Sequence, residues 1–109
     1  DHRITSRVTM DAIFPYARDI YSYPDLLEEG LQPHKVKEVF LWGAEEPNYY
    51  SDITDTFDIK FTALRCHQSQ IGKRLVGEME ERMRQRHKTI AEGEDFELAE
   101  AFYRVEIWR

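Results

Sequence analysis

The run Val39-Phe40-Leu41-Trp42, closed by Gly43, constrains this 109-residue chain more than any other feature. Uninterrupted apolar residues with a β-branched and aromatic bias predict a strand over 36–42 that is buried on both faces, as in the middle of an α/β sheet. Such a strand needs neighbours on both sides. The chain offers few of them. Residues 49–53 read as a second short strand. Residues 102–108 alternate Tyr103, Val105 and Ile107 against Arg104, Glu106 and Trp108, the period of a strand with one wet face, expected at a sheet edge.

The remaining segments read as helices and one loop. Residues 3–17 carry Ile4, Val8 and Ala12 on one line with Met10, Ile13, Phe14 and Ala17 beside it, a wide apolar stripe that Pro15 should kink or stop. Residues 18–35, punctuated by Pro24, Gly30 and Pro33, predict a loop with one short helical turn, pinned to the core by Leu26, Leu27 and Leu31. Thr54 is the expected N-cap of an amphipathic helix over 55–66, with Asp55 and Asp58 in its first turn and Phe57, Phe61 and Leu64 on its apolar face. A long surface helix over 69–91 has one narrow seam, Ile71, Leu75, Met79 and Met83, and Gly93 should end it. Helix, buried strand, short strand, two helices and final strand describe an α/β or α+β sandwich, incomplete unless further sheet flanks 36–42.

Composition narrows the function classes. Fifteen Lys and Arg against 21 Asp and Glu leave a charge of −6, which argues against nucleic-acid and membrane partners. The lone Cys66 forms no internal disulfide and suits a reducing cytoplasm. No apolar stretch approaches the ~20 residues that span a bilayer. The length allows one domain with one modest core, so a deep catalytic cavity is hard to build. The chain also opens on Asp1 rather than Met, directly into a helical turn, and is expected to be part of a longer protein.

A search for chemistry mostly returns plain alternatives. There is no CxxC, HExxH, GxSxG or GxGxxG, and no two of His2, His34, His67 and His87 stand at i, i+4. His2, between Asp1 and Arg3, could ligate a metal with Asp1 fixing its tautomer, or stand solvated at a frayed helix end. His67, in Cys66-His67-Gln68-Ser69-Gln70, reads as a cap between two helices; His34 and His87 read as solvated, and Cys66 as a small buried residue. Asp52, Asp55 and Asp58 lack the spacing of a calcium loop and are explained by strand-end and helix-start electrostatics. Met79 and Met83 read as core, and 82–88 as a solvated charged face.

Read as strings in order, several segments resemble the second half of the PIG-L or LmbE-like deacetylases. They are Asp1-His2-Arg3 before a helix, Phe14-Pro15, Ala17-Arg18-Asp19, Leu26-Leu27-Glu28-Glu29-Gly30-Leu31, Pro33-His34-Lys35-Val36, Glu38-Val39-Phe40-Leu41-Trp42-Gly43, Asp52-Ile53-Thr54-Asp55-Thr56, Ala63-Leu64, His67-Gln68-Ser69-Gln70 and Ala99-Glu100-Ala101-Phe102. The resemblance spans nearly the whole chain. It implies a Rossmann-like three-layer α/β fold, of which 1–109 would be the C-terminal portion. It also implies zinc-dependent hydrolysis of an N-acetyl group on an amino sugar or sugar conjugate.

In that family a His-Pro-Asp-Asp motif supplies a His ligand, an Asp ligand and the general base, and a later Pro-Asp-His supplies the last ligand. His2 occupies that last position, preceded by Asp1. The first motif is absent from the chain, so the resemblance puts the base and two zinc ligands upstream of Asp1, and the 109 residues alone are expected to be inactive. Arg18 matches a recurring family position and could reach a substrate hydroxyl or phosphate, or form a structural salt bridge. Ser6 departs from the family, which often has Gly there. The alternative from another class is a non-catalytic interaction domain that pairs with itself through the apolar strand at 36–42.

Overall fold

A computed structural model describes residues 1–71 and 76–107, and divides the chain into two units. The smaller comprises Asp1–Val39 with Val105–Arg109, the larger Phe40–Arg104.

In the smaller unit α1 runs over His2–Asp11 and passes into a wide π-type turn, Ala12–Tyr16. Pro15 ends the helix as expected: the residue before a proline is pushed out of the α region, and Phe14 is extended at φ −152°, ψ 125°. The Phe14-Pro15 peptide bond is cis. The apolar stripe of this segment is not core. No residue of α1 is buried, and Ile4 remains 63% exposed.

α2 is the single short turn of helix foreseen in the loop, Pro24–Glu28, started by Pro24 at its first position. It ends in a Schellman arrangement. The N–H of Leu31 donates to the carbonyl of Leu26 and that of Gly30 to Leu27, both at 3.0 Å, and Gly30 takes φ +85°. A Cβ at Gly30 would meet nothing within 4 Å, so Gly30→Ala should cost only the left-handed backbone, about 1 kcal/mol, read as a lower urea midpoint. Leu26 and Leu31 do not pin the loop to a core. They stay exposed and line an open cavity of about 450 Å³ within this unit.

The larger unit holds the main apolar cluster. The strands are β1 (Glu38–Trp42), β2 (Tyr49–Asp52) and β3 (Ala99–Glu106), in the order β1-β3-β2, with β2 antiparallel to β3 and Tyr49 opposite Phe102. The mixed α/β class therefore stands, while two expectations for the strands are corrected. β1 is an edge strand with only Val39 buried, and Trp42 is 70% exposed, because sheet order and not strand composition decides which strand has neighbours on both sides. The last strand, expected at an edge, is the central one. Asn48 lengthens its pairing: the side-chain Nδ2 donates to the carbonyl of Arg104 at 3.1 Å and Oδ1 accepts from its N–H at 2.7 Å. Phe40, Tyr49 and Phe102 pack together across the three strands, with centroids 5.2 and 5.8 Å from Phe40.

α3 spans Phe57–Arg65 with Thr56, not Thr54, as its N-cap residue. Asp52 is the reason. Its Oδ1 accepts from the N–H of Thr54 at 3.0 Å and from its hydroxyl at 2.6 Å, so residues 52–54 close a side-chain turn before the helix begins. Those two bonds, the hydroxyl first, hold the Asp52 carboxyl below the usual carboxylate range. Ile53, Phe57, Phe61 and Leu98 form the apolar cluster, with Met79 and Met83 packed against it.

The long helix foreseen over 69–91 is seen as α4 (Gln68–Ile71) and α5 (Val76–Ile90). Leu75 of its seam, with Lys73 and Arg74, lies outside the described residues, as does Trp108. Gly93 follows α5 at φ +93°. No helix among the described residues is long and apolar enough to cross a membrane.

Candidate functional site

His2 is the first residue of α1 and is exposed. Arg18 lies beyond the other end of that helix and of the wide turn after it, with its guanidinium 5.8 Å over the Phe14 ring. The ten residues of α1 rise about 15 Å at 1.5 Å each. Arg18 also borders a small cleft lined by Phe14, Lys35 and Ile107.

The larger cavity of the same unit has Tyr16 and Tyr23 in edge-to-face contact, centroids 6.1 Å apart, over a floor that includes Leu26 and Leu27. Asp19, at its rim, accepts from the Tyr21 N–H at 3.0 Å and the Ser22 hydroxyl at 3.1 Å. That carboxylate ties its own loop. The backbone N–H of His34 donates to the carbonyl of Ala17 at 2.7 Å, and both residues line the cavity.

A catalytic zinc takes about three protein ligands and keeps one position open. Among the described residues no three of His, Cys, Asp and Glu gather, so these side chains do not by themselves fit a zinc ion. An imidazole such as that of His2 can serve the metal as one ligand of several.

Of the three acids, Asp58 stands in the first turn of α3 as foreseen and pairs with Arg84 at 3.1 Å, Asp55 is corrected to a place before the Thr56 N-cap, and Asp52 closes its turn. His67 precedes α4, and its carbonyl accepts from the N–H groups of Gln70 and Ile71. Cys66 is corrected, being exposed with its Sγ 3.5 Å from the carbonyl of Thr62.

His87 is the larger correction. Expected in solvent, it is 7% exposed. Its Nδ1 is 2.8 Å from the carbonyl of Ala99 and its Nε2 3.1 Å from Lys60 Nζ, which also pairs with Glu100. Burial holds its pKa below the ordinary imidazole value against the opposing Ala99 bond, and the nearby Lys60 charge lowers it further. The sequence did carry a signal for it. His87 and Ala91 continue the four-residue steps of Met79 and Met83, and both are buried. Its charged neighbours masked that period.

No family model matches the chain. Over 70 residues, 64% of the chain, it is 33% identical to the diacetylchitobiose deacetylase of Thermococcus kodakarensis. The match spans about a quarter, 26%, of that relative's length.

Proposed function

We propose that this chain is a region of a zinc-dependent N-deacetylase of the PIG-L or LmbE-like kind, contributing one metal ligand, His2, and part of the substrate wall. The similarity to a deacetylase over 70 residues carries the reading. It agrees with the resemblance of Asp1-His2-Arg3 to the family's last ligand motif. The outer edge of β1, last in the sheet order, supports the same view, since a larger Rossmann-like sheet would continue there. The substrate is an N-acetylated amino sugar or conjugate. Arg18, at a recurring position of that family, meets a hydroxyl or phosphate of that substrate. A cytoplasmic setting accords with the single cysteine.

Bound zinc would lower the pKa of a water and polarise the amide carbonyl. On this reading the remaining ligands and the base come from a His-Pro-Asp-Asp motif in the rest of the protein. The full-length protein should then hold about one zinc per chain by metal analysis. His2→Ala should weaken zinc binding by more than the roughly 10–100-fold typical of losing an outer-shell partner. The 109 residues alone should not deacetylate an N-acetylglucosamine conjugate. A full-length protein that binds no zinc, or one whose zinc is indifferent to His2→Ala, overturns the assignment.

A further inference from the structure

Remote in sequence from His2, and independent of the deacetylase reading, one polar cluster ties three elements of the larger unit together. His87 comes from α5, Lys60 from α3, and Glu100 and the carbonyl of Ala99 from β3. A carbonyl oxygen only accepts, so the Nδ1 atom 2.8 Å from Ala99 carries the ring proton. In the neutral ring Nε2 is then an acceptor, and the Lys60 ammonium donates to it at 3.1 Å. The same ammonium pairs with Glu100. An ammonium has donors only. The Lys60 contact therefore exists in one protonation state of the ring: an imidazolium would set N–H against N–H, with two positive charges 3.1 Å apart.

We propose that His87 and Lys60 form an acid-released clip, in which neutral His87 holds the Lys60 ammonium between α5 and Glu100 of β3, and protonation of His87 expels that ammonium. The surrounding groups set its direction. From α3, Lys60 opposes a second positive charge, while Asp58 is already engaged by Arg84 at 3.1 Å. From β3, Glu100 favours the imidazolium, and from α5 itself Arg86 disfavours it. The Phe57 ring, edge-on with its centroid 5.9 Å away, closes one apolar side, and burial is the strongest influence against charging the ring.

The sign follows from linkage. The folded pKa lies below the unfolded value of about 6.5, so between the two the unfolded chain binds more protons. The clip's contribution is present at neutral pH and is lost as the pH falls from there through the folded value. Mild acid thus loosens the tie between α3 and α5 while leaving the apolar cluster of Ile53, Phe57, Phe61 and Leu98 unaltered in charge.

A ¹⁵N and ¹³C NMR titration of the protein tests this. At neutral pH His87 should show the Nδ1–H tautomer, and its titration midpoint should fall below the ordinary imidazole value. The Lys60 Nζ resonance should move with that same midpoint. In Lys60→Met, which keeps the apolar stem and removes the charge, the His87 midpoint should rise. A His87 that titrates at or above the ordinary value overturns the clip. So does a Lys60 signal that ignores the His87 transition, a result available from the wild-type protein even if the variant does not fold. A low midpoint unmoved by Lys60→Met also overturns it, since burial alone would then account for the shift.

Discussion

Phe57→Ala should lower stability by about 3–5 kcal/mol, the range for emptying a buried aromatic site. Phe57 is the largest fully buried side chain among the described residues, at 1% exposure. Its ring stacks near-parallel to Phe61 at 6.4 Å, meets His87 edge-on, and carries the Arg84 guanidinium 4.4 Å above its centroid. Alanine leaves those faces without a partner, and the backbone of α3 cannot follow because Thr56, Ile53 and the Asp52 turn hold its start. Against the 5–15 kcal/mol typical of whole domains, the loss is a large share. Urea unfolding followed by circular dichroism should show a much lower midpoint at nearly unchanged slope. A stability loss of less than about 1 kcal/mol would mean that the core lies elsewhere.

Phe57 and Phe61 were legible in the sequence because helical period is a local property. Their four-residue spacing behind Thr54-Asp55 announces the apolar face without knowledge of what covers it. The same holds for β2, for the short helix at Pro24 and for the end of α5 before Gly93. β1, an edge strand among the described residues, departs from its expected place because pairing is not local. Val39-Phe40-Leu41-Trp42 looks equally apolar at an edge and in the middle, and only the position of β3 between β1 and β2 decides. For the candidate site, His2 is legible only through the resemblance, since no second histidine stands at metal-ligand spacing from it in the sequence. His87 was legible in principle, on the seam of Met79 and Met83, yet its role depends on Lys60 and Glu100, 27 and 40 residues apart from their respective partners.

The contrast between Leu98 and Val8 puts this difference on a measurable scale. Val8 stands in the wide apolar stripe that the period of 3–17 marks as core, while Leu98 follows Glu94-Asp95-Phe96-Glu97, a stretch with no readable period. The structure reverses their weights. Leu98 is 2% exposed inside the cluster with Ile53, Phe57 and Phe61, and its N–H donates to the Thr54 hydroxyl at 3.3 Å. Its carbonyl accepts from the N–H of Ile53 at 2.9 Å, so the side chain is held where β3 begins and cannot slide to refill a void. Leu98→Ala should therefore cost about 2–5 kcal/mol, because lost transfer energy and an unrelaxed cavity add. Val8, on a helix with no buried residue, has little apolar contact to lose, and Val8→Ala should stay within about 0.5 kcal/mol. Paired urea curves decide between the two placements. Equal losses would mean that α1 is covered in solution, with its stripe of Ile4 and Val8 turned against another surface. A large loss at Leu98 alone places the stabilising burial in the α3, α5 and β3 cluster, the same elements that the His87 clip ties together.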